Sequence, residues 1–289
     1  LIGFLKGVVM RERAVRVGSP APLVGVISEP DDFQSLKPAV LILNSGLMHH
    51  IGTCRLSVKL ARSLAHMGLM SIRFDFSSIG DSEPRRGSKT FQKSAPLETI
   101  EVMDYLNEKR GIKQFILFGL CSGADVAYDT AILDSRVVGI AQIDPSCYRT
   151  PRYYLNHYRQ KLFDINAWTN FISKKIQLLS KQINKKDEAF FEELTSYRIF
   201  PPLNDIAKGL NQLVDRRVRL NIMITGGEYH YNYSNQYRDS LKGKVNFRDL
   251  LTLNYYPESG HIITQPKYQK LVVNELTQWI DDMGKVIKE

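Results

Sequence analysis

No run of apolar residues in this 289-residue chain approaches the length that crosses a bilayer. The opening Leu1-Ile2-Gly3-Phe4-Leu5 is too short, and reaches Lys6 and Arg11 too soon, to read as a signal peptide, so a cytoplasmic location is expected. Cysteine is scarce: Cys54, Cys121 and Cys147 have no metal-ligand spacing and cannot all pair. A free thiol of this kind suits a reducing compartment. Internal repeats and low-complexity stretches are missing, and no nucleic-acid motif accompanies the net charge of +9. Nucleic acid is therefore not an expected partner, and the charge points to an acidic substrate or partner, or simply to a basic surface. No cofactor and no metal is expected.

What remains is the composition of an ordinary globular enzyme, 43% hydrophobic and 24% charged, long enough for one large α/β domain or for a core with an insertion. Short apolar segments alternate with helical patterns, which predicts βα units and a mainly parallel sheet. Val8 to Val17 and Pro22 to Ile27 read as an opening hairpin, and Ala39-Val40-Leu41-Ile42-Leu43 as a buried strand ending at Asn44-Ser45-Gly46. A helix follows, with Leu56, Leu60 and Leu64 every fourth residue, Val58, Ala61 and Ala65 beside them, and Gly68 as its stop. Leu69 to Phe74 is another strand, and the next helix is expected to pack through Leu97, Ile100, Met103 and Leu106. After a strand at Val137 to Ile143 the alternation breaks: Tyr148 to Arg217 is aromatic, basic and helical in pattern. Leu220 to Thr225 and Leu250 to Tyr255 resume the sheet, and Leu271, Val272, Leu276, Trp279, Ile280 and Met283 line a closing helix. The expected organisation is a core of residues 1–147 and 218–289 with a helical lid at 148–217.

The most informative residues are Gly119-Leu120-Cys121-Ser122-Gly123, between the apolar run Phe115-Ile116-Leu117-Phe118 and an apparent helix from Ala124 to Leu133. A strand turning sharply into a helix through G-x-nucleophile-x-G is the nucleophile elbow of the α/β-hydrolases. The turn is tight enough to demand glycine at both flanks, and the nucleophile itself sits in strained backbone. Here the framed residue is Cys121 rather than serine, while Ser122 lies outside the symmetric frame. Cys54 and Cys147 lack such a context and read as structural.

A cysteine nucleophile needs a base, an orienting acid and an oxyanion hole. The base candidate is His261 in Ser259-Gly260-His261, read as the one histidine of six on a loop at the carboxyl end of a sheet strand. For the acid, Glu228 is the first choice, two residues after Gly226 at the end of its strand. Asp144, at the end of the preceding strand, is the alternative. The chain order of nucleophile, acid and histidine is then met by Cys121, Glu228 and His261. The backbone N–H groups of Ser122 and Leu47 are the expected oxyanion donors.

The segment Asn44-Ser45-Gly46 … Arg55 … Leu60-Ala61-Arg62-Ser63-Leu64-Ala65 … Gly68 … Ile72-Arg73-Phe74-Asp75-Phe76 … Gly80-Asp81-Ser82-Glu83, with Gly119-Leu120-Cys121-Ser122-Gly123-Ala124-Asp125, resembles the α/β-hydrolases associated with exosortase and exopolysaccharide gene clusters. More distantly it is similar to the serine aminopeptidase and acylglycerol lipase-like branch. The resemblance covers roughly Ala39 to Asp144 and Leu220 to His261. It implies a Cys-His-acid triad of the carboxylic-ester or thioester hydrolase type, with the acid in a Ser/Thr-Gly-x-acid pattern. Thr225-Gly226-Gly227-Glu228 matches that pattern, with glutamate in place of the commoner aspartate. Asp75 and Asp81 belong to the shared motif and are expected to brace loops.

At a helix start beside an imidazole, a thiol is expected to ionise below its free value of about 8.5. Acyl exchange between thioesters is near thermoneutral, so the expected substrate is a small acyl compound, with coenzyme A or acyl-carrier thioesters foremost. Arg149, Arg152, Arg159, Lys161, Lys174, Lys175, Lys181, Lys185 and Lys186 could meet the phosphates of such a carrier. Tyr153, Tyr154, Tyr158, Phe163 and Trp168 could line an acyl pocket, or serve as lid core under a solvated basic face. Two classes of function follow: an acyl-processing hydrolase, thioesterase or acyltransferase, and a non-catalytic protein of the same fold that binds a ligand or partner.

Overall fold

A computed structural model describes residues 10–85, 90–162, 198, 200–227 and 230–286. Among them an eight-stranded sheet has the order β1-β2-β4-β3-β5-β6-β7-β8. The strands are β1 (Met10–Val17), β2 (Leu23–Pro30), β3 (Ala39–Ile42), β4 (Ser71–Phe74), β5 (Phe115–Leu120), β6 (Val137–Ile143), β7 (Arg219–Thr225) and β8 (Leu251–Tyr256). The β1–β2 and β2–β4 pairs are antiparallel, as the opening hairpin requires, and every later pair is parallel.

Period-two alternation along the central strands divides the core. Leu41, Phe115, Leu117, Ile140, Leu220 and Ile222 face one side, where α2 (Phe91–Arg110), α3 (Ser122–Leu133) and α5 (Leu203–Asp215) cover them. Val40, Ile42, Ile116, Phe118, Ala141 and Met223 face the other, under α1 (Leu56–His66) and α7 (Pro266–Val286). The remaining helices are α4 (Pro151–Leu162) and the short α6 (Gln236–Ser240).

Helix α1 buries Leu56, Val58, Leu60, Ala61, Leu64 and Ala65, as its spacing predicts, and the chain leaves it through Gly68 at φ +75°. Two other faces are rotated from expectation. Helix α2 buries Thr99, Val102, Met103 and Leu106 but exposes Leu97, because Glu98 turns inward to accept the Ser77 N–H at 2.9 Å and its hydroxyl at 2.5 Å. In α7 Val273 is buried in place of Leu271.

Helix α4 and helix α5 both fall inside the stretch expected to be a lid. Ile206, Ala207, Leu210, Leu213 and Val214 of α5, however, belong to the same buried cluster as Leu220 and Ile222 of β7. Helix α5 is therefore a core crossover helix, and the core resumes before residue 218. Phe163, Trp168, Lys174, Lys175, Lys181, Lys185 and Lys186 lie outside the described residues.

The two glycines of the elbow serve backbone approach. A methyl group at Gly119 would stand 2.1 Å from the Gly123 oxygen, and one at Gly123 would stand 2.3 Å from the Asn44 oxygen, so α3 seats directly on the end of β3. Helix propensity alone favours alanine at any interior helix glycine by about 1 kcal/mol. The expected result is therefore of opposite sign at two helical positions. Gly123→Ala lowers the unfolding free energy by about 2 kcal/mol or more through overpacking, whereas Gly284→Ala, with nothing within 4 Å, raises it. Urea titrations of both variants check this, and stabilisation by Gly123→Ala would contradict the seat.

Candidate active site

Cys121 caps α3 in the left-handed region, at φ 56° and ψ −119°, a conformation that a non-glycine side chain holds only when its surroundings impose it. Here the imposition is visible. The Cys121 N–H bonds the Ile143 oxygen at 2.9 Å, while the N–H groups of Ala124 and Asp125 bond back to the Cys121 oxygen at 2.9 and 3.3 Å. The side chain is left half-buried at the carboxyl end of the sheet. Of the other thiols, Cys147 is buried, and burial pushes it up to about 12, in keeping with a structural role. Cys54 is exposed, on the turn before α1, and is not a core residue.

His261 follows β8 on a loop tied by the Ile263 N–H to the Gly260 oxygen at 3.0 Å and by Gln269 Nε2 to the Ile263 oxygen at 2.9 Å. Gly227 comes so close that a methyl group there would stand 2.2 Å from His261 N. His49, His50 and His230 also lie in loops that follow sheet strands, so the position of His261 is not unique; what distinguishes it is its partners. Its ring is hydrogen-bonded both to Cys121 and, through Nδ1, to Asp144 Oδ2 at 2.7 Å.

Among the described residues, the carboxylate that meets this imidazole is Asp144, the second choice from sequence. Glu228, the first choice, lies outside the described residues. Asp144 has no solvent exposure and itself takes a positive φ of 49°. Its Oδ1 accepts the Thr225 N–H at 2.7 Å, and its Oδ2 accepts the Thr225 hydroxyl at 2.6 Å. The Thr225-Gly226-Gly227 stretch therefore serves Asp144 and the His261 loop: its threonine supplies donors and its glycine gives room. Burial of His261 works against its charged form. The hydrogen bonds to Asp144 and Cys121 outweigh burial and lift the ring to about 10.

The loop after β3, which carries Leu47, is built on Asn44. Its Nδ2 donates to the Met48 oxygen at 2.7 Å and to Asp75 Oδ1 at 2.9 Å, and its Oδ1 accepts the Phe76 N–H at 2.8 Å. These bonds curl residues 44–48 over the elbow, and the Gly46 N–H donates to Ser122 Oγ at 2.7 Å. The N–H of Ser122 belongs to the first turn of α3, which an α-helix leaves without an internal acceptor. Leu47 is exposed at the crest of the same loop.

His49, His50, Asp75 and Asp81 bring four metal-type ligand atoms within 4.8 Å of one another. Both Asp75 oxygens are already committed: Oδ1 to the His50 N–H at 2.6 Å and to Asn44, Oδ2 to His50 Nδ1 at 2.8 Å and to the Asp81 N–H at 3.1 Å. Burial would raise this carboxyl; its donors, His50 first, outweigh burial and lower it. We read the group as the brace of the oxyanion loop, which agrees with the expectation for Asp75.

One residue near the sulfur has no counterpart in the sequence reading. Arg198 places Nη1 3.7 Å from Cys121 Sγ and grips Asp125, one turn along α3, through Nε at 2.6 Å. Of the basic residues expected to meet a carrier's phosphates, Arg149 lies over the Tyr153 ring at 5.3 Å and Arg152 over the Tyr233 ring at 4.7 Å. Tyr153 is buried, whereas Tyr154 and Tyr158 are exposed and stack on each other.

No family model and no curated protein matches the chain. Solved structures do. An esterase of Pyrococcus furiosus is similar with a TM-score of 0.59 at 13% identity, over 95% of this chain and 91% of that one. A cold-adapted esterase from an Arctic intertidal metagenomic library is similar at TM-score 0.54 and 14% identity, over 94% of both chains. An α/β serine hydrolase homologue of Coxiella burnetii is similar at TM-score 0.54 and 14% identity, over 92% of this chain and 97% of that one. At such identities the likeness establishes the fold, and the chain has the α/β-hydrolase fold. No helix among the described residues is long and apolar enough to cross a membrane.

His261 binds its proton more tightly in the folded chain than in the unfolded one. The stability this contributes is complete below about pH 6.5 and is lost as pH rises through about 10. Urea unfolding of wild type and His261→Asn across that range is expected to show a stability gap that narrows with rising pH. A gap that stays constant would mean the ring is not held charged.

Proposed function

We propose that this chain is an acyl-processing enzyme that uses Cys121, His261 and Asp144 on an ester or thioester, through an acyl-enzyme intermediate. The observation that carries the reading is one continuous hydrogen-bonded chain, Cys121 to His261 to Asp144, ending on a nucleophile in strained backbone. In the reaction the Cys121 sulfur attacks the acyl carbon, and the carbonyl electrons move to oxygen. The N–H groups of Ser122 and Leu47 receive that oxyanion. The intermediate collapses as the leaving thiol or alcohol takes the proton held by His261, which leaves a thioester on Cys121. An acceptor (water, an alcohol or an amine) then gives its proton to His261 and attacks the thioester, which restores Cys121. Asp144 holds the ring so that one nitrogen faces the sulfur, and it stabilises the imidazolium whenever His261 carries the proton, before the leaving group departs and again after the acceptor attacks.

The cysteine favours thioester donors of the coenzyme A or acyl-carrier type, because exchange of one thioester for another costs little. The motifs shared with the exosortase-associated hydrolases support the same reading. The lid, residues 148 to about 202 once α5 is assigned to the core, would cover the acyl chain.

Two measurements test the proposal. Incubation with acyl thioesters of graded chain length, followed by intact-mass analysis, is expected to show an acyl adduct on wild type that is missing from Cys121→Ala. Neither adduct nor turnover with any ester or thioester, from a folded protein, would favour a binding protein of the same fold. The acid is tested separately. Asp144→Asn is expected to lower turnover on the order of 10⁴-fold, as loss of the orienting carboxylate does in serine triads, while Glu228→Gln has a small effect. The reverse ranking would return the acid to Glu228.

A further inference from the structure

Arg198 is an odd residue to find against a nucleophile. A serine nucleophile is neutral before it attacks and has no use for a fixed cation, whereas a thiolate does. The guanidinium reaches the sulfur as part of a clamp. Its Nε and Nη2 bond Asp125 at 2.6 and 3.3 Å, and Nη2 also donates to the Asp144 oxygen at 2.6 Å. Asp125 Oδ1 in turn accepts the Ser146 N–H at 3.1 Å and its hydroxyl at 2.9 Å. One arginine therefore joins the nucleophile helix to the segment that carries the acid, and its remaining arm, Nη1, lies 3.7 Å from Cys121 Sγ. Its plane is backed by the Phe200 ring at 4.8 Å, and its side chain is only 13% exposed, so little water intervenes to screen it.

Resting on the reading of Cys121 as the nucleophile, we propose that Arg198 is a second cation on the sulfur, a catalytic residue that holds the thiolate jointly with His261. Among the described residues, the charged and titratable groups around this sulfur and its arginine are His261 after β8, Asp125 on α3 and Asp144 after β6, with Cys147, His230 and the buried Tyr231 close enough to interact with Arg198. Among the described residues, His261 and Arg198 are the cationic groups placed against the sulfur. Removing Arg198 leaves one favourable contact and frees Asp125, whose negative charge opposes a thiolate. Arg198 stands just ahead of the core helix α5 in the chain.

The test is the pH profile of Cys121 alkylation by iodoacetamide, followed by peptide mapping, run beside acyl-thioester adduct formation. Arg198→Met is expected to move the alkylation profile up by about one pH unit, which slows labelling about tenfold near pH 6 with an unchanged rate at high pH. Arg198→Lys, which keeps the charge, is expected to stay near wild type. Arg198→Met alone leaves Asp125 without its partner and invites misfolding. The double variant Arg198→Met/Asp125→Asn removes the pair together and is expected to show a shift in the same direction. Superimposable profiles in wild type and either Met variant, with the wild-type acyl adduct still forming on Cys121, would overturn the role of Arg198 while leaving the nucleophile intact. Failure of wild-type Cys121 to label ahead of Cys54 and Cys147 and to form any adduct would instead overturn the nucleophile, and the proposal with it.

Discussion

A carboxylate without access to water must be met by donors, and in this chain that requirement organises the site. Asp144 ends β6 fully buried and takes three hydrogen bonds, two from Thr225 and one from His261. Each donor is delivered by sheet topology. The parallel pairing of β6 with β7, in register from Gly139 opposite Arg219 to Ile143 opposite Met223, carries Thr225 to the carboxylate. The next pair, β7 with β8, sets Thr225 opposite Tyr256, and the loop beyond that strand brings His261 back across Gly227. Breaking one partner of such a group leaves an uncompensated charge in the interior, so the geometry of the imidazole is as stiff as the sheet that holds it.

The charges around the elbow make sense together. Asp144 favours a charged His261, whose ring lies beside Cys121. Arg198 places Nη1 3.7 Å from the sulfur and is itself fixed by Asp125. Each positive group near the sulfur is thus backed by a carboxylate: Asp144 behind the imidazole, Asp125 behind the guanidinium. The proposed thiolate nucleophile would draw on both pairs, whereas an alcohol in the same place would gain little from the second.

How much of this was legible depended on whether a residue's role was local. The elbow could be read because its constraint is steric and confined to five positions: Gly119 and Gly123 are needed where backbones touch. The face of α1 could be read from spacing alone. The acid could not, because Cys121, Asp144, His261 and Cys121, Glu228, His261 satisfy the same chain order. What brings Asp144 to the imidazole is strand register, which periodicity does not encode. The α2 face was misplaced for a related reason. A buried Glu98 contradicts apolar periodicity, and its justification, Ser77, lies 21 residues upstream. Arg198 gave no signal at all, being one of 39 lysines and arginines in a basic chain. Asp125 stood inside a recognised motif, but nothing local pointed to its partner 73 residues away.

The Cys-Ser pair at the elbow shows how two adjacent polar residues divide their work. The turn that sends the Cys121 side chain out toward the open end of the sheet sends that of Ser122 inward, where it is 4% exposed. There its oxygen accepts the Gly46 N–H, which ties the start of α3 to the loop after β3. The same bond fixes the distance between the two N–H groups proposed to receive the oxyanion, since Leu47 follows Gly46 and the other donor is the backbone of Ser122 itself. Asn44 and Asp75 set that loop from behind with five further hydrogen bonds: Asn44 donates to Met48 and Asp75 and accepts from Phe76, and His50 bonds both Asp75 oxygens. The loop is therefore built before any substrate arrives. Such preorganisation is what an oxyanion site requires, because donors that must first turn toward the developing charge spend their stabilisation on the turning.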